Sequence, residues 1–238
     1  TDGGHVWTRR AAWSALPSGE LQLLQELLRD GAFRGQSFAA DTLKELADLA
    51  GARFTTANAE GMKDMLRVLR QTETPEAQSV AVLQGLQAGL RRNRDGAVAS
   101  DWTTDLETLA TDGTPAVKRS VWSLQQQLDL PASPSQQAAV RAAATTAADR
   151  SKPMPERLNA IQMLALGDSS ETTPVLLNRL QGAEPLDIQR AALRILGEPT
   201  DVAIARGLLE RWRNIHPALQ HDVVLLLLLV RASDRAKE

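Results

Sequence analysis

Few residues in this chain have the types and spacing that chemistry requires. The histidines are His5, His216 and His221. The last two lie five apart, which misses the i, i+4 spacing that puts two metal ligands on one helical face, and there is no His-Glu-x-x-His run. The carboxylate pairs Asp101 with Asp105 and Glu107 with Asp112 have the types needed for acid and base work. They sit where helices start and turn, where acidic residues stabilise the helix dipole without reacting. No Gly-x-Ser-x-Gly, no glycine-rich phosphate loop and no cysteine occurs, so nucleophilic, nucleotide-binding and thiolate-metal chemistry lack their signatures. The residues imply neither a catalytic centre nor a bound cofactor or metal.

What remains is suited to contact. Arg91, Arg92 and Arg94 form a basic turn, and Arg67 and Arg70 on a neighbouring segment extend it toward an acidic peptide or domain. Five tryptophans stand in a chain without tyrosine. Trp13, Trp122 and Trp212 have core spacing, whereas Trp7 and Trp102 fall at helix beginnings and are the better contact candidates.

These residues are positioned by helices. From Pro185, Ile188, Ala191, Ala192, Ile195 and Leu196 mark one apolar face, and Gly197 to Pro199 stop it. After Thr200, Ile204, Ala205, Leu208, Leu209 and Trp212 define a second helix. A hairpin this small cannot bury its own stripe and needs copies beside it. Ala160, Ala192 and Val224 are spaced by 32, and Ile161, Leu193, Leu225 and Leu164, Leu196, Leu228 keep the same register. That period lies among paired-helix solenoids.

Proceeding along the chain, hairpins pair Val6–Leu16 with Glu20–Arg29, Phe38–Leu49 with Glu60–Leu69, and Ala77–Leu90 with Trp102–Leu109. Pro115–Leu128 then pairs with Ser135–Asp149, and Pro155–Leu166 with Thr173–Leu180, before the unit already described. A seventh begins at Pro217 and runs to about Val230, too near the end at Glu238 for a partner helix. The expectation is an all-α, right-handed α-solenoid of six to seven hairpins, one domain over 1–238, cut from a larger chain. Few aromatics and much Ala, Leu, Gln, Arg and Glu agree with this. The helix Ser135–Asp149, poor in large apolar residues, is expected to be the soft point.

A formal charge of −2 excludes the dense positive field that nucleic-acid backbones require. The longest apolar run, Val223 to Val230, has eight residues where a membrane span takes about twenty. That run is apolar on every side. In the 32-residue register Leu226 stands where Gln162 and Arg194 face water, so Leu226 and Leu229 are expected to form an interface with a continuation of the chain or with a second copy.

Arg190-Ala-Ala-Leu-x-x-Leu-Gly197 resembles HEAT repeats. Trp7-Thr-Arg-Arg-Ala-Ala-Trp-Ser-Ala-Leu16, Leu83-Gln-Gly-Leu-Gln-Ala-Gly-Leu-Arg-Arg92 and Leu208-Leu-Glu-Arg-Trp212 with His216-Pro217, in that order, resemble the HEAT segment of planctomycete-type membrane-bound dehydrogenases. In that family a propeller precedes the repeats and a c-type haem domain follows them. The resemblance implies a non-catalytic spacer or docking scaffold for protein partners, periplasmic or exported, with the redox chemistry in the flanking domains. Without the resemblance a cytoplasmic location stands equally. HEAT-like enzymes of the phycobilin-lyase type and free-standing peptide-binding repeats are the alternatives. Deoxyhypusine hydroxylases are similar too, but their repeated His-Glu pairs are missing here.

Overall fold

The computed structural model describes residues 19–71, 74–93, 102–197 and 202–235. Every regular element among them is helical, and no strand occurs. The helices gather into two compact units, Thr1–Ala132 and Ser133–Glu238, where periodicity alone leads to one domain. The division falls inside the segment expected to be the fourth hairpin.

The first unit contains α1 (Glu20–Arg29), α2 (Gly31–Arg34), α3 (Ala39–Ala52), α4 (Ala59–Gln71), α5 (Glu76–Arg92), α6 (Thr103–Asp112) and α7 (Pro115–Gln127). Here α3 packs on α5 and α5 on α7, while α1 packs on α4 and α4 on α6. Contacts of α1 with α3 and of α6 with α7 join the two rows. The α3–α5 pair is unusually close because glycines line it. A methyl group on Gly85 or Gly89 would run into the carbonyls of Lys44 or Asp48, and one on Gly51 would lie 2.6 Å from the Leu86 carbonyl. Leu43, Leu46, Leu83, Leu86, Met62, Leu66 and Leu106 fill the space between rows.

The second unit contains α8 (Pro134–Ala148), α9 (Met154–Leu164), α10 (Ser169–Asn178), α11 (Leu186–Leu196), α12 (Val202–Arg211) and α13 (Pro217–Arg235). Helix α9 packs on α11, α8 on α10 and α10 on α12, with α9 against α8, α11 against α10 and α13 against α12. Two helix starts here carry hydroxyl caps: the Ser133 hydroxyl accepts from the Gln136 N–H at 3.2 Å, and in the first unit Thr114 accepts from Val117 at 3.4 Å. Proline occupies the first turns of α7, α8 and α9, where its missing N–H has no helical acceptor to serve.

Two boundaries differ from expectation by four residues or more. Helix α10 starts at Ser169 rather than Thr173, because Asp168 caps it by accepting from Ser170 N at 2.7 Å; Pro174 then lies inside the helix. Helix α13 runs to Arg235, one turn past the apolar run.

The register also changes. From α9 to α11 the 32-residue spacing holds, since Arg157, Ala160, Ile161, Leu164 and Gln189, Ala192, Leu193, Leu196 are all buried. From α11 to α13 three of the six buried positions, Ile188, Ala192 and Ile195, recur 31 residues later as Leu219, Val223 and Leu226, while the buried Leu193 corresponds to the exposed Val224. Val224, Leu225 and Leu228, expected on the core side, are exposed instead.

Candidate functional site

The expected contact residues separate into three groups. Trp7 lies outside the described residues. Trp102 is a correction: it is fully buried, at 0 % exposure, with its ring edge-on to Phe54 at 5.0 Å between centroids. Its position before α6 turns it into the core between rows, so it offers nothing to a partner. Leu226 is a second correction. It is 7 % exposed and belongs to the core of its own unit, because the one-residue register change turns it inward. Leu229 stays exposed at 63 %.

Arg67 and Arg70 are exposed on α4. Arg67 is already held by Asp64 at 2.9 Å and Asp105 at 3.5 Å, so Asp105 is engaged in joining α4 to α6. Arg91 and Arg92 serve other neighbours: Arg91 Nε donates to Gln127 on α7 at 2.9 Å, and Arg92 pairs with Asp48 on α3 at 2.7 Å. The arginines adjacent in the reading of the sequence therefore act at different helix contacts, and Arg94 and Asp101 lie outside the described residues. His216 accepts from the Ala218 N–H through Nδ1 at 3.1 Å as α13 begins, and His221 stands exposed beside Asp222. Among the described residues no group of three or more His, Asp or Glu side chains is placed to hold a metal ion.

The densest polar constellation was not anticipated. Glu184 lies in the turn before α11 with its side chain 0 % exposed. Arg157 Nη2 donates to its Oε2 at 2.6 Å, and Arg179 Nη1 to its Oε1 at 2.8 Å. Arg150 Nε reaches Oε1 from the solvent side at 3.4 Å. Arg157 also gives two bonds to the Ala147 carbonyl, at 3.2 and 2.9 Å, and Arg179 reaches the carbonyls of Ala147 and Ala148 at 3.4 Å. Those carbonyls end α8, where unsatisfied acceptors and the negative end of the helix dipole favour cations. Burial holds the Arg179 guanidinium below its ordinary value, with Glu184 opposing the shift.

Adjacent to this cluster, Gln189 donates to the carbonyls of Gln181 and Glu184 at 3.2 and 3.0 Å and accepts from His216 N–H at 3.0 Å. Gln189 occupies the position of Arg157 one repeat later, and Arg211 that of Arg179. Arg211 likewise reaches back, to Asn178 Oδ1 at 3.4 Å. These side chains tie each helix to the end of an earlier one.

The cluster has no nucleophile. Its carboxylate is shut off from solvent behind three guanidiniums, so it can neither take a proton from a substrate nor be reached by one. The geometry does structural work: one buried acid and three arginines fix the end of α8, the start of α9, the end of α10 and the turn into α11. A signal for it existed in the sequence. Arg157 shares a face with Ala160, Ile161 and Leu164, and a charge on a buried face requires a partner. No protein-family model, curated protein or solved structure matches the chain. Among the described residues no helix is long and apolar enough to cross a membrane.

Proposed function

We propose that the chain is a non-catalytic scaffold, a right-handed stack of HEAT-like hairpins that holds protein partners or flanking domains in place. The observation that carries this reading is the recurrence of buried positions between α9 and α11 at 32 residues, and of Thr172 and Leu176 with Ile204 and Leu208 between α10 and α12. Such recurrence is what a stack of hairpins that share their cores requires, and it supports the reading. The strongest polar cluster is consumed in the same task. Arg67 and Arg70 remain the candidate partner contacts on α4.

In the fuller form of the proposal, supported by the resemblance at Trp7–Leu16, Leu83–Arg92 and Leu208–Pro217, the scaffold is a spacer between redox domains of an exported protein. The test uses the intact natural polypeptide and residues 1–238 side by side. A visible haem spectrum and dehydrogenase turnover in the intact polypeptide, with neither in residues 1–238, is the expected result. Robust turnover of redox or hydrolytic substrates by residues 1–238 alone would overturn the scaffold reading.

A further inference from the structure

Helix α13 has two apolar sides. Leu219, Val223, Leu226 and Val230 form the buried one. Val224, Leu225, Leu228 and Leu229 are exposed, and by helical periodicity they form a stripe opposite the buried one. A further stacked hairpin accounts for only part of that stripe, since in the observed 31-residue register Val224 takes the place of the buried Leu193. In the observed 31-residue register Leu225 occupies the place of Arg194, on the side that α11 turns to solvent with Arg190 and Arg194. Another position that a further hairpin would cover is Leu209 on α12. Its counterpart one repeat earlier, Leu177, is buried and fits against Gly207 of α12, whereas Leu209 is 59 % exposed.

We propose that the outer stripe of α13 is an isologous contact between two copies of this chain. Two observations favour a second copy over other occupants. The exposed residues are ordered symmetrically about the Leu226–Leu227 bond, so an antiparallel pair related by a two-fold axis sets Leu225 against Leu229 of the other copy and Val224 against Leu228. No charged side chain lies within the stripe. Asp222 and Arg231 flank it on opposite sides, so the two-fold brings no like charges together, and antiparallel helix dipoles attract. Four apolar side chains from each copy cover less than the roughly 1,200 Å² of a stable interface, so the association is weak.

Sedimentation velocity over about 10 µM to 1 mM tests this, with the Leu225→Glu, Leu229→Glu double variant and, as a control, Leu209→Glu. The unaltered chain and the control should form dimers to the same extent, and the double variant should raise Kd by at least about tenfold while keeping its circular dichroism. The absence of cysteine permits a second measurement. A mixture of Leu225→Cys and Leu229→Cys chains should form disulfide dimers faster than Leu229→Cys alone. A monomer throughout the range, leaving the stripe to a different helix, overturns the proposal. So does equal loss of association in the Leu209→Glu control, or crosslinking of Leu229→Cys alone as fast as the mixture, which is the mark of a parallel pair.

Discussion

Replacing Glu184 would leave the buried Arg157 and the half-buried Arg179 without their carboxylate, which is the costly way to break a charge cluster. Removing one partner of a buried pair costs roughly 3–5 kcal/mol, whereas an exposed i, i+3 pair contributes under about 1. Glu184→Ala is therefore expected to lower the urea midpoint sharply, and Arg190→Ala, which loses only the exposed pair with Asp187, to leave it almost unchanged. A second expectation concerns Asp149, whose carboxyl is held below its ordinary value chiefly by the Ser151 hydroxyl at 2.6 Å, then by the Ser151 N–H, with Lys152 and Arg157 adding to the effect against desolvation. A depressed carboxylate stabilises the fold above its ordinary pKa and loses that contribution as pH falls through the lowered value. Ser151→Ala should move the Asp149 titration upward when followed by NMR, and an unmoved titration would show that the bond is unimportant. Of the Glu184 cluster only Arg157, a charge on a buried face, left a signal in the sequence, because Glu184 sits in a turn where periodicity is silent and its arginines come from other segments. Trp102 was misread for a related reason: being first in a helix does not settle which way a ring turns.

At the scale of elements, helices and their inner faces were largely legible, since periodicity reports which side is buried whenever polar residues mark the other. Val223–Val230 has no polar residue to set the phase, so Leu226 was placed outside and Leu225 inside, the reverse of what the structure has. The close α3–α5 pair was equally hidden, because Gly85 and Gly89 read as weak helix formers until their neighbours are known. Gly89→Ala should destabilise the first unit by about 1–3 kcal/mol, since its methyl meets the Asp48 backbone. Gly61→Ala, with Leu21 Cδ1 at a comfortable 3.7 Å, should stabilise it by up to about 1 kcal/mol. Thermal melts of the two variants moving in the same direction would refute this account. Helix α8 buries only Gln136, Val140, Ala143 and Ala147, so its amides should exchange faster than those of α11, which buries Ile188, Leu193, Ile195 and Leu196. Equal protection would mean that the arginines at its C-terminus compensate for its thin core.

For the whole molecule, the division into two units was not legible, because the reading of the sequence paired Pro115–Leu128 with Ser135–Asp149 across it. It has a measurable expression. The buried tryptophans Trp102 and Trp122 belong to the first unit, while the second has only the half-buried Trp212. Fluorescence therefore reports chiefly on the first unit, and circular dichroism on both. Glu184→Ala is expected to shift the dichroism transition more than the fluorescence transition; coincident shifts would show that the units unfold together. The register change between α11 and α13 acts at this scale too. One residue is worth about 100° of rotation on a helix, so trimming a single residue from a repeat works as a dial. It leaves the composition of α13 untouched and exchanges which leucines the molecule keeps and which it shows. The same helix can thus present a different face to solvent by a change of phase alone.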